Sequence, residues 1–561
     1  MQPNLLALRR AIPDTAVSAF KLLLHPWVLF VVVSLAVWWP DGFNIGPVND
    51  GWIGLGADNI LPDQFKTRVF NSFFFRDVGM HLVSNSFLGW EAVLFVATVL
   101  RGVLAYEIIK RLFPGRALFA VACGLIALYH PADNSYFWLD AVGIPCGLAC
   151  ALASILAAML HLQSGSRASL LAMYALQLLT CFNYTAFLPL VIMAPVLIWL
   201  VRRLKDPRTR AFYLFKTSVL VGVFIVFQAY LASRGVGREG VVIDLSLRGI
   251  IAGYEYVVRV WLHSRPTFTI TYLLVALVPG VFAYVTAGAA LVAEPEDDRE
   301  ATHVSVGSAS FTVSSFLCLA AASYLPYAVS TLRFNNERQL LAAGFFLYAT
   351  LLLPVFFVLL PRFKSRYVGE LVVAVLAVLV TVTGLQARVK WMSEYRTEEG
   401  LLAALATTIP DPPPGSTIIV YLAKPYMRFT LAGFYNRRAA FEQALHMMYG
   451  DANLQAGFVD LTIPPFSFTP GQVRIEAARL MNSGLVVPYE HLILVYYTED
   501  GDAYILQQPW LQKLAPKGTD LSGYRPGSYG SLPSDHAIMC TMLEQSYRPP
   551  YCTPSYKRTS Q

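Results

Sequence analysis

Apolar runs dominate the chain, and polar residues gather in the short stretches between them. A bilayer span needs roughly 20 mainly apolar residues. By that measure the runs at about 22–39, 84–107, 116–130, 141–162, 211–232, 268–292, 309–329, 339–360 and 367–385 each predict one membrane helix. The run at about 168–201 predicts two, joined by a tight turn near Asn183. The predicted fold class is an α-helical polytopic membrane protein of about 11 transmembrane helices. Residues 1–21 predict a short amphipathic helix on the cytoplasmic surface. The aromatic and basic stretch GYEYVVRVWLHSRP, within 233–267, predicts a helix lying in the membrane interface.

The pattern changes from about residue 386. TEEGLLAALATTIP has helical character, and PDPPPG ends it. STIIVYLA alternates as a strand. NRRAAFEQALHMMYG returns to helix. HLILVYYTEDGDAYIL predicts two strands about a turn at Glu499–Gly501. The chain therefore divides into a membrane domain, 1–385, with a long first external loop, 40–88, and a small α/β or α+β domain, 386–561.

Charge sets the orientation. The net charge of +7 lies largely in clusters beside the spans, so it implies no nucleic-acid partner. Basic loops at 110–116, 202–210 and 362–366 all fall on one predicted side, the cytoplasm. The acidic loop EPEDDREATH falls there too, a mild conflict, since acidic residues weigh little in topology. With the N-terminus inside, an odd number of spans puts the C-terminal domain outside. No small-x-small cleavage site follows the first span, where the sequence is AVWWPDG, so an uncleaved start is expected. A compact chain with one poorly placed sequon, at Asn183, favours a bacterial inner membrane. Charged residues make up 14% of the sequence and mean hydropathy is +0.50, which excludes an ordinary soluble protein.

Five of the seven cysteines sit in apolar runs, where they act as small hydrophobes. Cys540 and Cys552 are the only two in the C-terminal domain, and an oxidising side permits a disulfide between them. No Cys/His metal spacing occurs. Gly235, Gly237 and Gly240 fit GxGxxG by letter, but the stretch follows a membrane span and no βαβ unit surrounds it.

Candidate chemistry collects at the predicted external face. The first loop holds Asp50 in VNDGW, a carboxylate suited to act as a general base beside a glycine that admits substrate. Asn-Asp-Gly is equally a good turn sequence. Arg68 follows, then Asp77 and His81 at helical spacing, either a local pair or a sugar- or phosphate-binding pair. A second group is His130 and Asp133 in HPADNSYFWLD, which also reads as a helix end and cap. A third is Arg333, Glu337 and Arg338 in STLRFNNER, where arginine suits bidentate phosphate binding and the alternative is solvated charge.

In their order and sidedness these three places resemble the GT-C superfamily of polytopic, lipid-phosphosugar-dependent glycosyltransferases, closest to its protein O-mannosyltransferase-like branch. The matching residues are Asp50, Arg68 and His81-x-x-x-Asn85 in the first loop. ALYHPADNSYFW resembles that branch's HP loop, and NNERQLLAAG its ER loop. The resemblance covers roughly 25–360. It departs where Asp50 is followed by Gly51 rather than a second acid, and where no tetratricopeptide array follows the membrane part.

The resemblance implies a sugar donor on a polyprenyl phosphate, presented at the membrane's outer face, and a glycan, lipid or protein acceptor. Asp50 is the implied base, with Asp77 as a second catalytic candidate. Arg338, with Arg333 or Arg68, would stabilise the leaving phosphate, and His81, His130 and Asp133 would shape the site. The resemblance assigns no certain cofactor, and a divalent metal stays an open option that nothing indicates. Two other readings stand beside it: a transporter or flippase for a lipid-linked or polyanionic substrate, and a surface-polysaccharide polymerase or ligase. The transporter predicts charge inside the spans; Glu91 and Arg101 are the exceptions to spans otherwise poor in it.

Overall fold

In the computed structural model the described residues are 22–40, 88–133, 136–137, 142–183, 187–194, 212–223, 244–264, 266–292, 306–330, 340–363, 365–424, 438–459, 466–469, 471–475, 485–514 and 517–526, with a few single positions between them. Among the described residues, ten apolar helices occupy the N-terminal two thirds. They are α1 (Pro26–Trp38), α2 (Leu88–Leu112), α3 (Ala117–Leu128), α4 (Gly143–Ser164), α5 (Arg167–Asn183), α6 (Phe212–Val223), α8 (Ile270–Val292), α9 (Val306–Ala328), α10 (Leu341–Pro354) and α11 (Arg366–Thr408). An amphipathic helix, α7 (Leu247–His263), lies between α6 and α8.

Among the described residues, α2, α4, α8, α11 and Leu341–Arg362 are long and apolar enough to cross a membrane, and α1, α3, α5, α6 and the Thr312–Ala328 part of α9 are shorter apolar helices. This is a membrane protein by its helices. The expectation of about 11 spans stands against those five full-length and five shorter helices.

Local chemistry explains the boundaries. The first span was expected from residue 22, but α1 starts at Pro26. Proline fits the first turn, where its missing N–H costs nothing. The His25 ring caps the Trp27 amide at 3.3 Å. Leu29, Phe30, Val33 and Val37 then form one buried stripe. α2 and α3 approach closely because glycines face each other. A Cβ on Gly124 would lie 3.0 Å from the Gly102 carbonyl oxygen and 2.3 Å from Phe30. Small residues at such crossings are how membrane helices gain contact without a hydrophobic driving force. α4 is the most enclosed of the long helices, with 83% of its apolar window buried. α8 instead exposes Leu274, Leu277, Val278 and Val281, an outward face made for lipid. α10 ends at Pro354 and continues as a π turn, Val355–Leu359, then a 3₁₀ turn, Leu360–Arg362, because proline removes a rung of the hydrogen-bond ladder.

α7 forms in the stretch expected to lie in the interface, and it is amphipathic. Ser246 caps it through the Gly249 amide. Gly253 and Val257 face α9, where the Tyr254 hydroxyl donates to the Ala321 carbonyl at 2.9 Å. Ile251, Val258 and Leu262 stay exposed.

The last membrane helix was expected to end near 385. Instead α11 is a single helix of 43 residues that passes through the expected boundary and becomes part of the C-terminal unit. Its upper half carries good helix formers, and no glycine or proline interrupts it until Gly400, which the helix tolerates.

Beyond α11 the sheet has strand order β2-β1-β6-β7, with β1 (Thr417–Leu422), β2 (Gln455–Val459), β6 (Leu492–Tyr497) and β7 (Ala503–Ile505). β1 pairs in parallel with β2 and β6, and all six of its residues are buried. Buried on both faces, a parallel strand reads as a continuous apolar run. α12 (Arg438–Tyr449) makes the β1–β2 crossover. The predicted hairpin is β6–β7, antiparallel about Gly501, whose φ of 88° is left-handed. A second, antiparallel sheet has order β3-β4-β5 from Phe466–Thr469, Gln472–Ile475 and Leu485–Pro488. The unit closes with α13 (Gln508–Leu514). One core runs without a break from the bundle, through Leu401, Leu402 and Leu405 of α11, into Ile418, Val420 and Phe441.

Candidate functional site

The HP loop begins where α3 stops. Tyr129 and His130 follow its last turn, and both are buried. The His130 carbonyl accepts from the Asp133 amide at 3.2 Å, a tight turn. The Tyr136 hydroxyl receives the His130 amide at 2.6 Å and folds the loop back on itself. His130 Nε2 meets the Leu341 carbonyl oxygen at 2.9 Å, which makes Nε2 the donor. Burial, with the Arg101 charge adding to it, lowers the His130 pKa to about 4, against the bond to Leu341. The imidazole is therefore neutral at physiological pH.

Leu341 is the first residue of α10, the helix that the ER loop feeds. Gly344, one turn on, lies under the His130 ring; a Cβ there would be 2.5 Å from Cε1. The third anchor is Trp38, the last residue of α1, from which the first loop departs. Its indole N–H donates to the Tyr129 hydroxyl at 3.2 Å. Anchors of all three motif-bearing loops thus meet at one end of the bundle.

Two guanidinium groups brace this end. Arg101 of α2 is fully buried; its Nη2 donates to the carbonyl of Leu128 at 3.2 Å. Leu128 ends α3, where helix carbonyls lack intrahelical partners and favour a cation. Arg101 also lies 5.3 Å from the Tyr136 ring. Its Nε and Nη1, and His130 Nδ1, are buried with no hydrogen-bond partner. Buried polar atoms left unpaired in this way are costly. Arg388 of α11 is fully buried too, 5.1 Å from the Trp38 ring and 5.6 Å from that of Phe137. Arginine stacks on aromatic faces in this way. Glu91 of α2 and Asp133 are buried too.

Of the residues singled out in the sequence, His130 and Asp133 are brought into this cluster. Asp50, Arg68, Asp77, His81, Arg333 and Arg338 lie outside the described residues, as do Cys540 and Cys552. Sequence reasoning noted Arg101 only as an oddity inside a span and missed Arg388, Trp38, Tyr129 and Tyr136. The available signal was an arginine just past the last apolar run, at 388, and the aromatic density of YHPADNSYFW. Among the described residues no group of His, Cys, Asp or Glu is placed to hold a metal ion.

A separate cleft of about 760 Å³ lies between the upper half of α11 and the β6–β7 hairpin. It is lined by α11 residues from Val389 to Thr408 and hairpin residues from Tyr497 to Tyr504. The Thr408 hydroxyl closes its far end by donating to the Ala503 carbonyl at 3.0 Å.

Comparison of the chain with family models, curated proteins and solved structures gives no match.

Proposed function

We propose that the protein is a GT-C-like membrane glycosyltransferase, moving a sugar from a polyprenyl phosphate to an acceptor hydroxyl at the extracytoplasmic face. The observation that carries this reading is the meeting of the three loop anchors. Trp38 bonds Tyr129, and His130 bonds Leu341, so the first, HP and ER loops leave from one patch. Residues that need to converge on a donor and an acceptor belong on loops held by rigid elements.

In this mechanism Asp50, with Asp77 as the alternative base, removes the acceptor proton. The hydroxyl attacks the anomeric carbon with inversion, and polyprenyl phosphate departs with the bonding pair. Arg338, supported by Arg333 or Arg68, stabilises the growing negative charge. His130 stays neutral, and with Asp133 and His81 it shapes the site. Arg101 and Arg388 act as positioning residues that hold the HP loop and the end of α1. The membrane is a bacterial inner membrane, with the N-terminus in the cytoplasm.

The test is transfer from radiolabelled polyprenyl-phosphate sugars in membrane vesicles. Wild type should release label from the donor, and Asp50→Asn should lower that rate by at least about 100-fold, as loss of a general base does. Transfer left intact in both Asp50→Asn and Arg338→Ala, at normal expression, would end the mechanism.

A transporter or flippase is the second reading, and one observation favours it: Glu91 and Arg101 are fully buried within the apolar helix α2. It predicts movement of a lipid-linked substrate across reconstituted vesicles with no covalent change.

A further inference from the structure

At the far end of α4 from the HP loop, side chains pin three helix ends together. The Tyr213 hydroxyl of α6 donates to the Ala158 carbonyl of α4 at 3.2 Å. From α5, the Tyr174 hydroxyl donates to the Lys216 carbonyl, and Gln177 Nε2 donates to the Thr217 carbonyl at 2.9 Å. His161, near the end of α4, is buried between two further groups. Its Nδ1 lies 2.9 Å from the Ser166 carbonyl oxygen, which can only accept, so Nδ1 carries a hydrogen. Its Nε2 faces the Lys216 ammonium at 3.3 Å and offers it a lone pair. The ammonium is thus held by a ring that brings no negative charge, and it keeps N–H donors to spare. Arg167, the first residue of α5, follows Ser166 and is exposed. Among the described residues neither Lys216 nor Arg167 has a carboxylate partner.

The surroundings of these cations narrow the ligand. Phe212, Phe215, Lys216, Val219 and Val223 share one face of α6 by their spacing. Phe212 is 63% exposed and Phe215 67%, and the Lys216 ammonium lies 5.3 Å from the Phe212 ring. On α5, Arg167, Leu171, Tyr174 and Leu178 share a face, and Leu171 is 68% exposed. The Tyr174 bond sets that face beside Lys216. Each helix therefore carries a cation near its end and exposed hydrocarbon further along. α5 also turns the positive end of its dipole to this corner. A soluble phosphate would answer the cations and leave the apolar stripes bare. A zwitterionic phospholipid would bring its own ammonium against Arg167. An anionic phospholipid answers both features, since basic groups between membrane helices hold its phosphate and apolar stripes take its chains.

We propose that this corner binds one anionic phospholipid, its phosphate between Lys216 and Arg167 and an acyl chain along the exposed stripes of α5 and α6. The lipid is distinct from anything the loop cluster handles. α4 has 22 residues and is about 33 Å long, so the corner lies roughly one bilayer core away from the HP loop. A bound headgroup bridges α5 and α6, which meet here through single side-chain bonds, and so stabilises that corner of the bundle. The inference does not rest on the glycosyltransferase reading.

The test uses the full chain in a neutral detergent, titrated with phosphatidylglycerol, phosphatidylcholine or inorganic phosphate. Thermal unfolding and native mass spectrometry are read together. Phosphatidylglycerol should raise the melting temperature saturably, with one lipid retained, and the other two should not. Lys216→Gln with Arg167→Gln should weaken its apparent affinity at least tenfold. Arg167→Glu alone, at an exposed position and so safe for folding, should weaken it as much, and it decides the matter if the double variant does not fold. Arg362→Gln, which removes an exposed cation elsewhere, should leave the affinity unchanged. Equal stabilisation by phosphatidylcholine, or affinity that survives the Lys216 and Arg167 variants, would overturn the proposal. An equal loss in Arg362→Gln would reduce the effect to general charge attraction and remove the site. The same shift with inorganic phosphate would give the cations to a soluble anion and end the lipid reading.

Discussion

Single side chains decide whether the HP loop keeps its shape. Gly344 is glycine because the His130 ring occupies the space of a side chain, 2.5 Å from where a Cβ would stand. The ring is held by its bond to Leu341, so it has no flexible end to swing aside. Gly344→Ala should therefore cost about 1–3 kcal/mol through overpacking, read as a lower melting temperature in detergent with a matching loss of transfer. The same histidine gives an acid dependence. Its folded pKa, about 4, lies below the ordinary value of 6.5. A depressed folded pKa means that the unfolded chain takes up the proton first. The contribution to stability is then full above pH 6.5 and falls as pH drops toward 4. The shift corresponds to roughly 3 kcal/mol. Between pH 7 and 4.5 the melting temperature of wild type should fall further than that of His130→Gln, which keeps a donor for Leu341 and does not titrate. Equal falls would remove His130 as the cause.

At the scale of elements, α11 is the piece that the sequence misdivided. Hydropathy drops after residue 385, and hydropathy was the only cue to a boundary there. The backbone continues because helix propensity does not depend on what surrounds the helix. One rigid rod now fixes the bundle, through Arg388, to the sheet, through Leu401, Leu402 and Leu405. Insertion of one alanine between Gln386 and Ala387 should turn the two halves by about 100° relative to each other. Membrane insertion and expression should survive, while transfer should collapse at least tenfold. Wild-type activity in that variant would mean that the two ends work independently. Strands β2 to β5 were not legible either. They are four or five residues long, and Gly457 interrupts β2, so no period of two has room to show. The hairpin at Glu499–Gly501 was legible because its turn chemistry is local.

For the whole molecule the open quantity is orientation. The proposed topology, argued from the basic loops, has Arg362 inside and the C-terminal unit outside. Arg362→Cys and Lys517→Cys, each in a background with Cys540 and Cys552 replaced by serine, should separate under a membrane-impermeant maleimide. In intact spheroplasts Lys517→Cys should label and Arg362→Cys should label only after lysis. Both positions are exposed, so failure to label reports the membrane and not burial. The reverse pattern would put the C-terminal unit and its cleft in the cytoplasm and end the extracytoplasmic mechanism.

By itself the sequence determined the membrane class, the order of the apolar helices, the amphipathic character of α7, strand β1 and the β6–β7 hairpin. These follow from composition and from periods of two and 3.6, which are properties of neighbours in the chain. It also marked His130 and Asp133 as candidates, through aromatic and polar density in one short loop. Only the tertiary structure decided that Trp38 bonds Tyr129, 91 residues away, and that His130 bonds Leu341, 211 residues away. It alone buried Arg388 between aromatic rings and set a carboxylate-bearing hairpin against α11 to make a cleft. Contacts at such separations depend on how helices cross and pack, and no local pattern of residues records that.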